Sequence, residues 1–225
     1  MASIIKLLRP PQDEVHRETV TFTIALDPEN ANENATIEVP VFEMGDVEEW
    51  LEWRKLFERL LTVKNKANMS GPLLFRHARL LLAGEALDQF NACCLENGEE
   101  EETPEAFDAA LHKFTNSQLP PHTAKRVKRY LLEIQKPPFM SVSQFVTRLQ
   151  RINSYFPFMP EAGGQNTMLA ASDLKFVLEQ AVPQAWRSAL ERSGQHESML
   201  FSEVMDYFKT LESLEEGTNV RSSQK

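Results

Sequence analysis

Apolar and polar residues alternate in two short stretches near the N-terminus. Residues 19–26 (TVTFTIAL) and 35–44 (ATIEVPVFEM) carry an apolar side chain at nearly every second position. This period of two predicts half-buried β-strands. The intervening DPENANEN is rich in turn-forming residues, so the strands are predicted to pair as an antiparallel hairpin, with Pro40 at an edge position.

After the hairpin, apolar residues recur with a spacing of three and four, which predicts helices. Asp46 and Glu49 form the pattern of a capping box at the start of the first helix. Its predicted apolar face consists of Trp50, Trp53, Phe57, Leu60 and Leu61. A second helix is predicted from Pro72 to about Asn91. A third begins with Thr103 as its cap.

The double proline in SQLPPH (117–122) is predicted to separate two helical domains, because adjacent prolines end a helix and stiffen the connection. Helical segments are predicted beyond it at residues 122–135, 141–156, 167–181, 184–193 and 202–213. The predicted fold is therefore mainly α with a short N-terminal β-hairpin. Its predicted parts are an arm with the hairpin (1–40), helical domains at 41–119 and 120–214, and a disordered tail (215–225).

The composition is that of a folded protein without a membrane span. Of the 225 residues, 42% are hydrophobic and 25% are charged, which is ordinary for globular proteins. No apolar run approaches the roughly 18 residues of a membrane span, and the N-terminal apolar stretch is too short for a secretory signal. We therefore expect a protein of the cytoplasm or the nucleus. The only cysteines, Cys93 and Cys94, are adjacent, which disfavours a mutual disulfide or a zinc site.

Charge is distributed unevenly along the chain. The net charge is −9, yet residues 120–155 contain seven basic residues and one acidic residue, so the remainder carries −15. Four of these bases, Lys125, Arg126, Lys128 and Arg129, lie within HTAKRVKRYLL. Such a run is typical of a solvated helix face. It also fits an electrostatic contact with an acidic partner, either RNA or the acidic half of another copy of the chain.

No sequence motif indicates catalysis. The eight glycines form neither a phosphate-binding loop nor a dinucleotide-binding pattern, and the five histidines are far apart. Motifs of serine hydrolases and aspartic proteases are missing as well. We therefore expect a protein that is not an enzyme, with no cofactor, no metal and no small-molecule substrate.

Four stretches taken in order resemble one family. They are VPVFEMGDVEEWLEWRKLFERLL, RHARLLLAGEALDQF, TPEAFDAALHKF and IQKPPFMSVSQFVTRLQRINSYF. Together they are similar to the Gag capsid region of gypsy-type LTR retrotransposons and its domesticated Arc-like relatives. The matching positions are Phe42, Trp50, Leu82, Gly84, Ala86, Phe90, Phe107 and Phe114, with a looser match at Phe176, Val182 and Pro183. The resemblance covers about residues 36–213 and implies a two-lobe helical capsid-like fold.

The fourth stretch is similar to the major homology region of retroviral capsids, where a glutamine, a turn and a helix form a hydrogen-bonded core. The corresponding residues are Gln135, Val142, Phe145, Arg148 and Leu149. Lys136 replaces the glycine that follows the glutamine in the family, and the downstream glutamate has no counterpart. Without the resemblance, the apolar members of this set are simply core residues.

The resemblance implies a structural protein that assembles with itself into a virus-like particle enclosing RNA, which would be a weak partner. By analogy with capsid second lobes, the helix at 167–182 is the candidate dimer contact through Met168, Leu169 and Leu174. These three residues also fit an ordinary helix core. The candidate electrostatic or RNA-facing residues are Lys125, Arg126, Lys128 and Arg129.

Two other functions fit the same sequence. A domesticated, non-assembling Gag-derived module would take a peptide strand at the edge formed by Val39, Val41 and Phe42. A helical nucleic-acid adaptor would use the bases between Lys125 and Arg129. The zinc knuckle and aspartic protease of Gag polyproteins do not occur in this sequence, so we expect either the capsid portion of a larger polyprotein or a truncated, domesticated copy.

Overall fold

The computed structural model describes Ile5 and residues 18–27, 30–96, 101–160 and 168–222. These residues form nine α-helices and one two-stranded antiparallel sheet near the N-terminus. The prediction of a mainly α fold with an N-terminal hairpin is therefore confirmed.

The elements follow one another with short connections. The strands are β1 (Thr19–Asp27) and β2 (Asn30–Pro40), and the helices are α1 (Val47–Val63), α2 (Gly71–Leu80), α3 (Gly84–Glu96), α4 (Pro104–Gln118), α5 (Thr123–Glu133), α6 (Val142–Asn153), α7 (Ala171–Ala181), α8 (Gln184–Arg192) and α9 (Phe201–Ser222). Two short 3-10 helices lie at Lys66–Asn68 and Phe156–Phe158.

The chain divides into two compact units. The N-terminal unit comprises Arg9–Thr123 and Phe158–Gln165, and the C-terminal unit comprises Met1–Leu8, Ala124–Pro157 and Asn166–Lys225. The change from one unit to the other after Thr123 follows directly on the double-proline segment. Each unit is described separately below.

The hairpin packs on the N-terminal unit through its apolar face. Val20 pairs with Val39 and Phe22 pairs with Ile37, and Phe22 and Val39 are buried. The Phe22 ring stacks on His77 of α2 at 5.6 Å, and Lys64 Nζ lies 5.5 Å from the centre of the same ring. The ladder continues to Asp27 opposite Asn30, so the predicted turn at 27–34 was too long. Most of the polar residues predicted as a turn belong to the strands because backbone pairing satisfies their N–H and C=O groups, whatever the polarity of their side chains.

Local side-chain chemistry sets the start of α1 as predicted. The Asp46 carboxylate accepts a hydrogen bond from the Glu49 N–H at 2.8 Å, and Glu49 accepts one from the Asp46 N–H at 2.8 Å. This capping box satisfies backbone donors that the first turn of a helix leaves free. All the residues of the predicted apolar face of α1 are buried. The predicted cap of α4 is also present, because Thr103 Oγ1 accepts from the Ala106 N–H at 3.1 Å.

The single helix predicted from Pro72 to Asn91 is wrong, because the chain forms two helices there. Between α2 and α3 the backbone leaves the helical conformation and bonds to Phe42. The Phe42 N–H donates to Leu81 O at 2.9 Å, and the Ala83 N–H donates to Phe42 O at 3.0 Å. Gly84 then adopts a φ of 48°, which glycine adopts more readily than other residues. Apolar periodicity continues across this break, so periodicity alone did not reveal it.

A closed circuit of aromatic rings fills the N-terminal unit. Neighbouring ring centres lie 4.9–6.3 Å apart along the circuit. Its members in order are Trp50, Trp53, Phe57, Phe107, Phe75, Phe90 and Phe114, which returns to Trp50. Because helices α1 to α4 all contribute rings, the circuit connects all four helices of this unit.

In the C-terminal unit, α9 packs against α6, α7 and α8. The core includes Phe145, Leu149, Val177 and Phe208, all buried. The helix α9 extends to Ser222, beyond the predicted end at 213 and into the segment predicted as a disordered tail. The amphipathic pattern that served for the prediction stops before the helix does.

Candidate functional site

Four basic side chains cover the outer face of α5. Lys125, Arg126, Lys128 and Arg129 are all exposed, whereas Ala124, Val127 and Leu131 of the same helix are buried. Within the part of the chain that the structure describes, none of the four has an ion-pair partner. The structure therefore brings the predicted electrostatic residues together on one solvent-facing surface, which we call the basic face.

The positive charge of the basic face is unfavourable for the dipole of its own helix. Lys125 and Arg126 lie within the first four residues of α5, and no acidic residue occupies its first turn. The N-terminus of a helix carries a partial positive charge, so each cation there costs about 0.3–1 kcal/mol at low ionic strength. Helix stability therefore does not explain the basic face.

The residues predicted to form a homology-region core divide between core and surface. Val142, Phe145 and Leu149 are buried, Arg148 is half-buried, and Gln135 is exposed. The Gln135 side-chain amide donates to the Gln180 carbonyl oxygen at 3.3 Å. The glutamine thus contacts the end of α7 from the surface and is not part of the apolar core.

A glutamate from α9 occupies the centre of this region. Both carboxylate oxygens of Glu212 accept from the Val142 N–H, at 3.1 and 2.9 Å, where α6 begins. Lys136 Nζ lies 3.0 Å from Glu212 Oε1, and the side chains of the pair are only 5% and 17% exposed. A carboxylate at a helix N-terminus is favoured by the helix dipole. Glu212 is therefore held by one charged partner and one helix end.

Neighbouring contacts tie this ion pair to α7 and α8. The Lys136 N–H donates to Ala181 O at 2.8 Å, and Lys136 Nζ lies 5.4 Å from the centre of the Trp186 ring. The Trp186 indole N–H donates to Glu215 at 2.5 Å. Lys136 thus links three helices, namely α7, α8 and α9. We call Lys136, Glu212 and the Val142 N–H the α9 latch.

The outer surface of α7 differs from the predicted assembly contact. Leu174 is buried at 7% exposure and belongs to the core. Leu169 is half-buried and precedes the helix. The side-chain amide of Asn153 bonds to the backbone of Leu169: Asn153 Oδ1 accepts from the Leu169 N–H at 2.7 Å, and Asn153 Nδ2 donates to Leu169 O at 3.1 Å. The large apolar side chains of Met168 and Phe176 are exposed, at 55% and 51%. Phe176 lies on the opposite side of α7 from Leu174, so it is the exposed aromatic of this helix.

The predicted peptide edge is occupied by the chain itself. Val39 pairs with Val20, and the Val41 N–H donates to Glu18 O at 2.7 Å. Phe42 uses its N–H and its carbonyl with Leu81 and Ala83, and its side chain is 2% exposed. A strand that used these same backbone groups would have to displace these bonds.

The described residues form no group of three or more histidine, cysteine, aspartate or glutamate side chains that could hold a metal ion. In the same residues, no helix combines the length and apolarity that crossing a membrane requires. Comparisons with protein-family models, curated proteins and solved structures find no match to this chain.

A second polar cluster joins α7 to the connection between α8 and α9. Lys175 Nζ donates to the carbonyl oxygens of His196 and Met199, the latter at 2.9 Å, and lies 3.9 Å from Glu179. Burial raises the pKa of Glu179 above its ordinary value of 4.5; Lys175 and His196 lower it, and Glu191 raises it. Since the net shift is upward, the folded protein holds this carboxylate at a cost to stability near neutral pH.

Replacing Glu179 with glutamine should therefore change how stability depends on pH. Between 4.5 and the raised folded-state pKa, the folded state binds more protons than the unfolded state, so the wild type loses stability as pH rises. The free energy of unfolding of Glu179→Gln relative to the wild type should increase over this window, as measured by urea denaturation in a pH series. Glu191→Gln should produce a smaller change. A Glu179→Gln difference that is constant with pH would contradict the assignment.

Proposed function

We propose that this protein is a Gag-type capsid protein that self-assembles into a virus-like particle enclosing RNA. The resemblance of four ordered sequence stretches motivates the proposal, and a particular surface feature supports it. That feature is Phe176, an aromatic side chain that is half exposed on the side of α7 opposite the core. The exposed half of this side chain contributes nothing to the core of a monomer, whereas a contact between copies would bury it.

The expected contact energy is small for each chain. Complete burial of a phenylalanine contributes about 1.5–3 kcal/mol, so covering the exposed half of Phe176 contributes roughly 1 kcal/mol per copy. Met168, which is also about half exposed, would contribute a similar amount if covered. Weak contacts of this size suit a closed shell, in which many repeated interfaces act together.

The alternative function is a non-assembling Gag-derived interaction module. It would need an open edge at Val39, Val41 and Phe42, where the backbone bonds to β1 and to the segment between α2 and α3. A nucleic-acid adaptor would depend on the basic face alone. Assembly is the proposal that uses both the exposed side chains of α7 and the basic face.

The direct test is mass photometry with negative-stain electron microscopy of the full chain, over a range of protein concentrations and salt concentrations. Rings or shells that grow with protein concentration are the expected result. A monomer under every condition would contradict self-assembly and favour the interaction module, which should then show saturable binding of a peptide.

Phe176→Asp should raise the concentration required for assembly by on the order of tenfold, because a buried contact is replaced by a charge that must be desolvated. The matched control is Phe139→Asp, since Phe139 is 73% exposed in the same unit but lies outside α7. Circular dichroism should show an unchanged helix content for both variants, because both positions face solvent. Equal effects of the two substitutions would mean that α7 has no special role.

A further inference from the structure

We propose that the basic face of α5 docks on an acidic surface of the N-terminal unit of a second copy of this chain. This inference rests on the proposed self-assembly and names the contact that makes it sensitive to salt. The acidic surface consists of Glu43, Glu85 and Asp88, all exposed.

Backbone contacts bring Glu43 to the start of α3, the helix that carries Glu85 and, three residues on, Asp88. Glu43 follows Phe42, whose backbone bonds to both Leu81 and Ala83. The Ala86 N–H then donates to Glu43 O at 3.3 Å, and the Glu43 side chain lies over Gly84, where an added Cβ would meet Glu43 Oε1 at 2.6 Å. Glu43 is therefore beside the first turn of α3, which carries Glu85.

The acidic surface has no cationic partner within its own chain among the residues that the structure describes. Glu85 accepts a hydrogen bond from Gln89, which is neutral. The acids at the start of α3 are favoured by its dipole, so the surface is stable as it stands. It remains available to an external cation.

Charge complementarity favours a second copy of the protein as the occupant of the basic face. Residues 1–119 contain 22 acidic and 11 basic residues, and the whole chain outside residues 120–155 carries −15. A long polyanion lying on α5 carries negative charge along its whole length, beyond the basic face, whereas the acidic surface of a second copy presents its charges at one folded patch. Complementary charge also fixes which surfaces meet. RNA is the competing occupant.

A charge exchange between two variants tests the pairing. The first variant is Lys125→Glu with Arg129→Glu, and the second is Glu43→Lys with Asp88→Lys. Each variant alone places like charges at the proposed contact, so each should need at least about tenfold more protein to associate at low salt than the wild type does. Mixed in equal amounts, the two variants present opposite charges to one another in both orientations, so association should return.

Two controls isolate this contact from general effects of charge. Arg59→Glu with Arg76→Glu changes the net charge by the same amount as the first variant, on exposed residues of the N-terminal unit, and should leave association salt-sensitive. Thermal unfolding should show that the first variant keeps the stability of the wild type, because Lys125→Glu places a glutamate near a helix N-terminus and Arg129 is exposed. Lost association would then not reflect lost folding.

All proteins are treated with nuclease before mass photometry. Recovery in the mixture, with wild-type association unaffected by nuclease, is the result expected. Failure of the mixture to recover, unchanged association of both variants, or association that returns only with added RNA would overturn the inference while leaving self-assembly in place. A wild type that stays monomeric throughout would overturn both.

Discussion

Glu212→Ala should lower the unfolding free energy of the C-terminal unit by about 3–5 kcal/mol. The substitution leaves the Lys136 ammonium, whose side chain is 5% exposed, without its carboxylate. It also removes the acceptor of the Val142 N–H at the start of α6. Removing one member of a buried pair is costly because the remaining charge is desolvated and uncompensated. Urea denaturation followed by circular dichroism measures the loss.

A double variant distinguishes the charge effect from lost packing. Lys136→Met with Glu212→Leu replaces both charges by apolar side chains of similar volume, and it should recover most of the loss. Asp206→Ala is the control on the same helix. Asp206 and Lys209 form an exposed pair at 3.1 Å, and such pairs contribute about 0–1 kcal/mol. A double variant as unstable as Glu212→Ala alone would contradict an electrostatic origin.

The α9 latch shows where sequence patterns reach their limit. Val142 and Glu212 are 70 residues apart, and no local rule connects them. One signal was available: Val204 and Phe208 are buried at a spacing of four, and Glu212 continues that spacing. An acidic residue that continues an apolar stripe indicates a buried basic partner, but the sequence does not show which lysine or arginine that partner is. The partner became evident only in the fold.

Elements governed by local chemistry were predicted correctly. The Asp46 and Glu49 pair fixes the start of α1, and Thr103 fixes that of α4, because each cap depends on residues within one turn. The mainly α class follows from apolar periodicity alone. The break before Gly84 was missed because it depends on a bridge between Leu82 and Phe42, about forty residues earlier in the chain. A contact between segments so far apart leaves no local pattern in the sequence.

The start of α7 and the side of it that packs on the core account for the difference between its predicted and observed surfaces. The sequence predicted a helix at 167–182, with Met168, Leu169 and Leu174 as the candidate contact residues. The helix begins at Ala171, since Asn153 holds the backbone of Leu169 outside it. Within the helix, Leu174 faces the core and Phe176 faces solvent. Because the helix begins at Ala171, Met168 and Leu169 precede it and are not part of its surface.

Phe107→Ala should destabilise the N-terminal unit by about 3–5 kcal/mol. Phe107 is fully buried, and its ring is the member of the aromatic circuit that lies between Phe57 of α1, at 6.3 Å, and Phe75 of α2, at 5.4 Å. The substitution removes both ring contacts and leaves a cavity that rigid neighbouring rings fill poorly. Phe107→Leu keeps most of the volume and should cost less than about 1.5 kcal/mol.

Tryptophan fluorescence can report this loss for the N-terminal unit alone. Trp50 and Trp53 belong to the aromatic circuit, whereas Trp186, the third tryptophan of the chain, lies in the C-terminal unit. In a Trp186→Phe background, urea denaturation followed by fluorescence therefore reports the unit that contains Phe107. If Phe107→Ala and Phe107→Leu lower its stability equally, the cavity does not determine the cost, and the circuit does not couple α1 to α2 through this ring.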